Sequence, residues 1–191
     1  MQRRSRWLLF GTSEARLRNV KSAVFERISM TEIRAAQFPE HVELVRTIFR
    51  EYADSLGIDL DFQDLDAELA SLPGKYAAPK GNVFLAWSNG EVVGSVAMRP
   101  LGDDVCEMKR LYVRPSGRGQ QIGRQLTMFI VKQAKNAGYR KIRLDTLPGM
   151  TEAQALYASL GFQVIPPYVF NPVAGAKFLE FDLTTPCEKD D

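Results

Sequence analysis

The stretch that decides the fold runs from Val105 to Leu126 and reads VCEMKRLYVRPSGRGQQIGRQL. Its first nine residues, up to Val113, have the apolar and β-branched character of a strand. Three glycines and three arginines follow, and from Gln120 onward apolar residues recur at helical spacing. A glycine-rich turn between a strand and a helix exposes main-chain amides at the helix N-terminus. This arrangement is typical of an anion-binding site.

The charge around this turn has one sign. Residues 109–143 contain ten Lys or Arg and no Asp or Glu, whereas the whole chain has a net charge of only +2. Concentrated positive charge next to exposed amides favours a ligand that carries phosphates. Nucleic acid is the rival, but the stretch has few aromatic side chains for stacking and no recognisable nucleic-acid-binding motif. We therefore expect a small phosphate-bearing ligand and no nucleic-acid partner.

The elements around this stretch predict a single α/β (α+β) domain in the order β-α-α-β-β-β-α-β-α-β-β. A front half rich in hairpins and a back half of βαβα type imply one mixed, mostly antiparallel, twisted sheet with helices on both faces. We predict strands at Thr31–Ala36, Asn82–Trp87, Glu91–Arg99, Val105–Val113, Lys141–Thr146, Phe162–Ile165 and Lys177–Leu183, and helices at Glu40–Asp54, Asp64–Leu72, Gln120–Asn136 and Glu152–Leu160.

Length and composition bound the domain organisation. The 191 residues suffice for one domain with a sizeable core, which we assign to residues 30–185. Residues 1–29 hold seven Lys or Arg and two acids without the apolar run of a secretory signal, so we expect a basic extension outside the core. An organelle-targeting leader is the alternative. Residues 186–191 are assigned to a polar tail.

Cysteine usage and hydropathy indicate the compartment. The two cysteines, Cys106 and Cys187, form no CxxC pair, and His41 is the single histidine. A disulfide framework or a metal site is therefore not expected, and a reducing, cytoplasmic location is. No apolar run has the length of a membrane span, so we expect no membrane partner.

Three phosphate-binding templates can be tested on the turn. A P-loop motif is absent, and the dinucleotide fingerprint fails because Ile122 stands where its third glycine belongs. The third template fits: Arg118 to Gly123 follows the pattern [Q/R]-x-x-G-x-[G/A] after a strand, and ALYASLGF lies downstream at 155–162. Together these motifs resemble the GNAT acetyltransferase superfamily, in the form of a small stand-alone bacterial-type member. The chain departs at Gln121, where the signature has its first glycine.

The resemblance implies acetyl-CoA as the cofactor. Its diphosphate would lie against the turn and the helix N-terminus, and its pantetheine arm would pair with the strand before the turn. The amide of Leu111 would also polarise the thioester carbonyl, as a one-donor oxyanion site. The residues expected to hold the cofactor are Leu111, Tyr112, Val113, Arg118, Gly119, Gln120, Gln121, Ile122, Gly123 and Arg124.

The resemblance also implies two catalytic residues. Tyr157, in ALYASLGF, matches the family tyrosine that protonates the departing thiolate; packing of the helix on the sheet is the alternative role. Glu107 lies where some members place a general-base glutamate. Its alternative roles are an exposed strand residue or the ion-pair partner of Lys109 or Arg99.

The acceptor is the least defined part of the prediction. Tyr168 and Asn171 are expected to line its pocket, and Arg99 or Arg110 to hold a carboxylate. The acidic segment 51–68 is either a solvated face or a rim that attracts a cationic amine. We therefore predict an acyl-CoA-dependent N-acyltransferase that moves acetyl to a primary amine of a small molecule or amino acid by direct attack. A non-catalytic acyl-CoA-binding or regulatory module is the alternative, and a homodimer is left open.

Overall fold

The computed structural model describes residues 31–57 and 64–184. The predictions for the basic extension at 1–29 and the polar tail at 186–191 lie outside the described residues. Within them, the predicted element order and the predicted mixed sheet with helices are confirmed. In the part of the chain described, no helix is long and apolar enough to span a membrane.

Seven strands form one sheet in the spatial order β1-β2-β3-β4-β5-β7-β6. Every neighbouring pair is antiparallel except β4 with β5, which run parallel. The single parallel pair joins the front hairpins to the back half of the domain. The strands are β1 (Glu32–Ala35), β2 (Asn82–Ser88), β3 (Glu91–Pro100), β4 (Val105–Val113), β5 (Lys141–Thr146), β6 (Gln163–Ile165) and β7 (Lys177–Asp182).

Helices cover both faces of the front half of the sheet. The described helices are α1 (Val42–Ser55), α2 (Leu65–Ala70), α3 (Ile122–Asn136) and α4 (Thr151–Ser159). Helix α1 buries an apolar stripe that packs with Val83 and Leu85 of β2 on one face. The alternate residues Phe84 and Ala86 pack with the stripe of α3 on the other face. Because strand residues alternate between faces, one strand contributes to two hydrophobic cores.

The central helix begins two residues later than the sequence predicts. Gln121 adopts the left-handed conformation, with φ 57° and ψ 19°, and helical backbone starts at Ile122. The apolar spacing does continue into the turn, but backbone at a positive φ cannot extend a right-handed helix. Residues spaced four apart, Ile122, Leu126 and Ile130, are fully buried and fix the helix on β3 and β4.

Candidate active site

The cleft that forms the candidate site opens where β4 and β5 separate. Their parallel pairing covers only three positions, from Val105 opposite Lys141 to Glu107 opposite Arg143. Beyond these pairs, the described residues of β4 have no paired strand on this side. The remaining half of β4 therefore presents backbone groups to an open space between two strands, which is an edge ready to accept an extended ligand.

A β-bulge marks the middle of this unpaired half. Ser95 is opposite Tyr112 and Ala97 is opposite Lys109, so β4 has one residue more than β3 between these pairs. Arg110 takes a left-handed φ of 58°, and its carbonyl accepts a hydrogen bond of 3.0 Å from the buried hydroxyl of Ser95. Bulges redirect a strand and cluster at functional sites. Here the bulge bends β4 at the point where the cleft begins.

Two adjoining cavities make up the cleft. The outer cleft has a volume of about 690 Å³, within the range of small-molecule sites. The inner cavity lies between the ends of β4 and β5. The two share Tyr52, Leu56, Leu111 and Met150. The other residues of the outer cleft are Ser55, Tyr112, Val113, Gly117, Arg118, Gly119, Gln121, Ile122, Gly123, Gly149, Thr151, Glu152, Ala153 and Leu156. The other residues of the inner cavity are Met108, Lys109, Arg110, Leu144, Asp145, Thr146, Leu147 and Tyr157.

The floor of the outer cleft is the N-terminus of α3. The first hydrogen bond of this helix runs from the amide of Gln125 to the carbonyl of Gln121, at 3.0 Å. The amides of the preceding residues therefore lack intrahelical acceptors, as at every helix start, and carry the positive end of the helix dipole. Gly119, at φ 77°, and Gln121 supply the left-handed turns that lead into the helix.

Two glycines of the turn, Gly117 and Gly123, differ in how much space surrounds them. A Cβ on Gly117 would lie 3.1 Å from carbons of Ile122 and Val113, a tight contact that would require these side chains to shift by a few tenths of an ångström. A Cβ on Gly123 would lie 3.8 Å from Leu156 and Val113, an ordinary contact distance. Since these residues line the outer cleft, the space beside Gly123 belongs to the cleft and not to the protein core.

Eight of the ten residues predicted to hold the cofactor line the outer cleft. The two others do not. Gln120 is exposed and donates to the carbonyl of Ser116 at 3.3 Å, and Arg124 is exposed and donates to the hydroxyl of Ser159 at 3.2 Å. Arg124 thus ties α3 to α4 in this structure.

Tyr157 of α4 lies at the inner cavity. It is 4% exposed and packs against Phe162 with ring centroids 5.5 Å apart. Burial, followed by the nearby Tyr52 and Asp145, raises the pKa of the Tyr157 phenol. The hydroxyl therefore stays protonated at neutral pH and is a weaker acid than an ordinary phenol.

Glu107 is fully buried and lies outside both cavities. Its Oε2 accepts hydrogen bonds of 2.7 Å from Nε and Nη2 of Arg99, and its Oε1 accepts one of 3.0 Å from the hydroxyl of Tyr168. The pairing with Arg99 is one of the alternatives that the sequence leaves open. Burial, followed by the charge of Glu107, raises the pKa of Tyr168.

Further ion pairs link β3, β4 and the residue that follows β4 to α1 and α2. Arg110, whose side chain is 1% exposed, donates from Nε to Glu68 at 2.9 Å, so its guanidinium is turned toward α2. Nη1 of Arg99 lies 4.0 Å from the same carboxylate. Glu51 pairs with both Nε and Nη2 of Arg114 at 2.7 Å. Two acids of segment 51–68 therefore pair with arginines, while Asp59 and Asp61 lie outside the described residues.

Asp145 lies on the inner cavity and was not predicted from the sequence. Its Oδ1 is 3.1 Å from Nζ of Lys109, and its Oδ2 accepts a hydrogen bond of 2.8 Å from Asn171. Burial by itself raises the pKa of Asp145, but the charge of Lys109 and then the hydrogen bonds lower it overall. The signal in the sequence was alternation: Arg143 and Asp145 are polar, and the residues between and beside them in β5 are buried.

The wall of the outer cleft opposite β4 was also not predicted from the sequence. The last turn of α1 and the segment 149–153 line it. Neither carries a motif. Met150, the residue before α4, lines both cavities.

The sheet splits at its one parallel strand pair, and a helix N-terminus lies at the mouth of the split. This arrangement defines the class of fold to which the chain belongs. The model of the acetyltransferase (GNAT) family matches residues 38–162, and the chain belongs to this family. It is 36% identical over 158 residues to an uncharacterized N-acetyltransferase of Schizosaccharomyces pombe, a match that covers 82% of this chain and 97% of that protein. The predicted family and the predicted acetyltransferase class are thereby confirmed.

Solved structures agree on the fold. A GNAT-family acetyltransferase from Staphylococcus aureus Mu50 superposes with a TM-score of 0.67 at 21% identity, covering 81% of this chain and 99% of that one. The PaiA N-acetyltransferase from Thermoplasma acidophilum, solved in complex with coenzyme A, gives a TM-score of 0.63 at 18% identity, covering 80% and 99%.

Proposed function

We propose that this protein uses acetyl-CoA to acetylate a primary amine of a small molecule or amino acid by direct attack on the thioester. The observation that carries the proposal is that the two cavities adjoin. The helix N-terminus suited to a diphosphate lines the outer cleft, Tyr157 lines the inner cavity, and the two cavities share four residues. A long ligand with phosphates at one end and a reacting group at the other matches this arrangement.

The cofactor's diphosphate would bind at the start of α3. The amides that precede the first intrahelical bond would donate to its oxygens, and the helix dipole would add roughly 0.3–1 kcal/mol per favourable contact. Arg118 is exposed at the same turn and lines the cleft, so its guanidinium would reach a phosphate. Arg124, which bonds to Ser159, would need to leave that partner to contribute.

The pantetheine arm would pair with the free half of β4. Leu111 and Val113 follow the bulge and line the outer cleft, where no strand of the described chain pairs with them on this side. In the same arrangement, the amide of Leu111 would donate to the thioester oxygen as negative charge develops on it. One well-placed donor of this kind is worth about 3 kcal/mol in acyl transfer.

Tyr157 would protonate the sulfur that leaves. The amine nitrogen forms a bond to the carbonyl carbon, the carbon–sulfur bond breaks, and its electron pair departs with sulfur. The thiolate takes a proton from Tyr157, which recovers one from the nitrogen. An acceptor that enters as an ammonium ion thus releases one net proton to water. The raised pKa of Tyr157 keeps the phenol protonated and makes it a weaker acid, so its proton moves only as the thiolate forms beside it.

The acceptor would approach from the face that carries Arg99, Tyr168 and Asn171. Arg99, with 22% of its side chain exposed, is more accessible than Arg110 at 1%, and it is our candidate for an acceptor carboxylate. Arg110, turned toward Glu68, would act only through the packing of α2. We propose that Glu107 positions Arg99 and Tyr168, because both of its oxygens are bonded to them.

The pKa of the acceptor decides how much help it needs. A lysine-like amine, with a pKa near 10.4, is neutral in roughly one molecule in 2,500 at pH 7, which costs about 4.6 kcal/mol. An α-amine near 7.7–8.0 loses only about 1–1.4 kcal/mol. We therefore expect α-amines to react fastest at neutral pH.

A cytoplasmic location, which cysteine usage favours, remains a prediction, as does the oligomeric state.

The alternative is an acyl-CoA-binding module without turnover. It draws on Gln121 and Met150, which replace a signature glycine and a common asparagine. Measuring thiol release from acetyl-CoA across L-amino acids, aliphatic diamines and short peptides separates the two. We expect acceptor-dependent release that Tyr157→Phe lowers at least about tenfold, or 1.4 kcal/mol, without weakening cofactor binding.

The matched control is Tyr139→Phe. Tyr139 is also buried but donates to the carbonyl of Lys80 at 2.9 Å, away from both cavities. We expect the control to turn over acetyl-CoA at the rate of the unmodified protein. Tight cofactor binding with no release on any acceptor would support the binding module instead.

A further inference from the structure

The end of β5 exposes two neighbouring side chains to one cavity from opposite faces of the sheet. Ile142, Leu144 and Thr146 are buried in the core beneath α3 and α4, whereas Arg143 and Asp145 point to the other face. Both Asp145 and Thr146 line the inner cavity. The inner cavity, which has a volume of about 30 Å³, is therefore lined from both faces of the sheet.

Asp145 differs from the other carboxylates near the reaction centre in its position. Glu107 is fully buried and lines neither cavity, and Glu68 lines neither. Among the described residues that line the inner cavity, Asp145 is the only carboxylate. Its side chain is 10% exposed, so it remains reachable from the cavity.

The partners of Asp145 hold it ionised without using all its capacity. Lys109 contacts Oδ1 and Asn171 contacts Oδ2, and a backbone hydrogen bond also lowers the pKa of the carboxyl. An ionised carboxylate has about four acceptor positions. These three donors therefore orient the group and leave room for one more, which a ligand would supply.

The inner cavity also contains a buried hydroxyl that makes no hydrogen bond with the described residues. Thr146 is 2% exposed, and its hydroxyl has no hydrogen-bond partner among the described residues. A buried hydroxyl without a partner costs free energy unless a ligand or water satisfies it. Together with Asp145 it marks the cavity as a site for a polar ligand and not an apolar gap in the core.

We propose that Asp145, held by Lys109 and Asn171, binds the amine of the acceptor. The inference rests on the proposed acetyl transfer and adds the residue that selects a cationic acceptor. The carboxylate accepts a hydrogen bond from the ammonium ion as it enters, and from the neutral amine once a proton has left to water. It takes up no proton itself, and it holds the nitrogen at the cavity wall across from Tyr157.

The test compares three variants in steady-state kinetics with the best acceptor of the amine panel. For Asp145→Asn we expect the acceptor KM to rise at least about tenfold, equal to 1.4 kcal/mol, with an unchanged dissociation constant for coenzyme A. For Lys109→Met, which leaves the carboxylate and its Asn171 donor in place, we expect a smaller rise in the acceptor KM than Asp145→Asn gives. A purely structural ion pair would make the two variants alike.

Glu180→Gln is the matched control. Glu180 also pairs with cations, Lys141 and Arg143, on the neighbouring strand, but it lines neither cavity. Its acceptor KM should stay within about twofold of the unmodified protein. If Asp145→Asn does not fold, the double variant Lys109→Met/Asp145→Asn leaves no unpaired charge and carries the same expectation of a raised KM.

Two outcomes overturn the inference by different routes. An active protein whose acceptor KM does not respond to Asp145→Asn, or responds equally to Lys109→Met, removes Asp145 from acceptor binding and leaves the proposed acetyl transfer intact. An unmodified protein that binds coenzyme A and acetylates no amine of the panel refutes the acetyl transfer, and the inference falls with it.

Discussion

The outer cleft and a cluster of charged and polar side chains around Glu107 are built in opposite ways. We call this cluster the polar face; it consists of Glu68, Arg99, Glu107, Lys109, Arg110, Asp145, Tyr168 and Glu180. Nine of the eighteen residues that line the outer cleft come from one run of sequence, 111–123, and four of the eighteen are glycines. The polar face is made of charged side chains brought together from afar. Glu68 and Arg110 are 42 positions apart, Glu107 and Tyr168 61, and Lys109 and Asp145 36.

This difference follows from what each region has to recognise. A diphosphate is the same in every reaction of an acyl-CoA enzyme, and backbone amides bind it without any particular side chain. An acceptor is specific, and selecting it needs side chains placed around it. The polar face is also costly to build, because every carboxylate buried there requires a cation next to it.

The largest effect that separates the two regions should come from Glu107→Gln. The change leaves the guanidinium of Arg99 without its buried partner, and breaking a buried pair costs about 3–5 kcal/mol. We expect the lower end of that range, because Arg99 is 22% exposed and has Glu68 4.0 Å away. Denaturant unfolding measures it. Glu180→Gln, whose partner Lys141 is 42% exposed, should lose about 1 kcal/mol or less.

The same Glu107 variant, measured well below its unfolding midpoint, should keep the coenzyme A affinity of the unmodified protein. The outer cleft shares no side chain with the Glu107 network. A cofactor affinity that falls together with stability would show that the two regions are one cooperative unit, and the comparison would fail.

Gly123→Ala should have the next largest effect, confined to the outer cleft. The new Cβ has ordinary contacts in the protein, 3.8 Å from Leu156 and Val113, but it enters the space assigned to the diphosphate. We expect affinity for coenzyme A to fall about tenfold to a hundredfold, or roughly 1.4–2.8 kcal/mol. Thermal unfolding should meanwhile shift upward, since alanine is up to about 1 kcal/mol better than glycine in a helix. Unimpaired binding would remove the start of α3 from the cofactor site.

Acid should weaken the polar face through its carboxylates. Burial raises the pKa of Asp145 and of Glu180, but their cationic partners lower each overall, from ordinary values of 3.8 and 4.5. A carboxylate with a lowered pKa in the folded state stabilises the protein above its unfolded pKa, and this contribution is lost as the pH falls through the folded value. We expect the free energy of unfolding to drop below about pH 4.5. In Glu180→Gln the drop should be shallower; an identical slope would contradict this assignment.

Gln121→Gly should give the smallest effect. Gln121 has φ 57°, and a left-handed conformation costs a residue with a side chain roughly 1–2 kcal/mol that glycine avoids. Glycine also loses more entropy on folding, so we expect a net gain of about 0.5–1 kcal/mol. Coenzyme A binding should be equal or tighter, as measured by titration. A destabilised variant would mean that the glutamine side chain itself supports the turn.

The strands and helices were predictable because their signals are local. The bounds of β4 and β5 agree residue for residue with the sequence prediction. The residues of β5 alternate between buried and half-buried, and β4 has the apolar and β-branched character of a strand. The start of α3 was placed two residues early because a left-handed glutamine is not expected from its residue type. The sheet order and the bulge at Arg110 depend on pairing between distant segments, which periodicity does not encode.

The site divides along the same line. The residues around the turn could be named from one motif, and eight of the ten lie on the outer cleft. The partners of Glu107 were only partly foreseen: Arg99 was among the alternatives, while Tyr168 was expected to line a pocket and instead donates to this carboxylate. Asp145 carries no motif. Its importance appears only when the separation of β4 and β5 puts it on a cavity.

Calorimetric titration of coenzyme A into the unmodified protein tests the central assignment most directly, because no acceptor has to be known. The assignment of the outer cleft to the cofactor predicts one site per chain with a dissociation constant in the micromolar range, weakened by added salt as expected for bound phosphates. No heat from coenzyme A or acetyl-CoA at millimolar concentration, under conditions where the protein is folded, would contradict it.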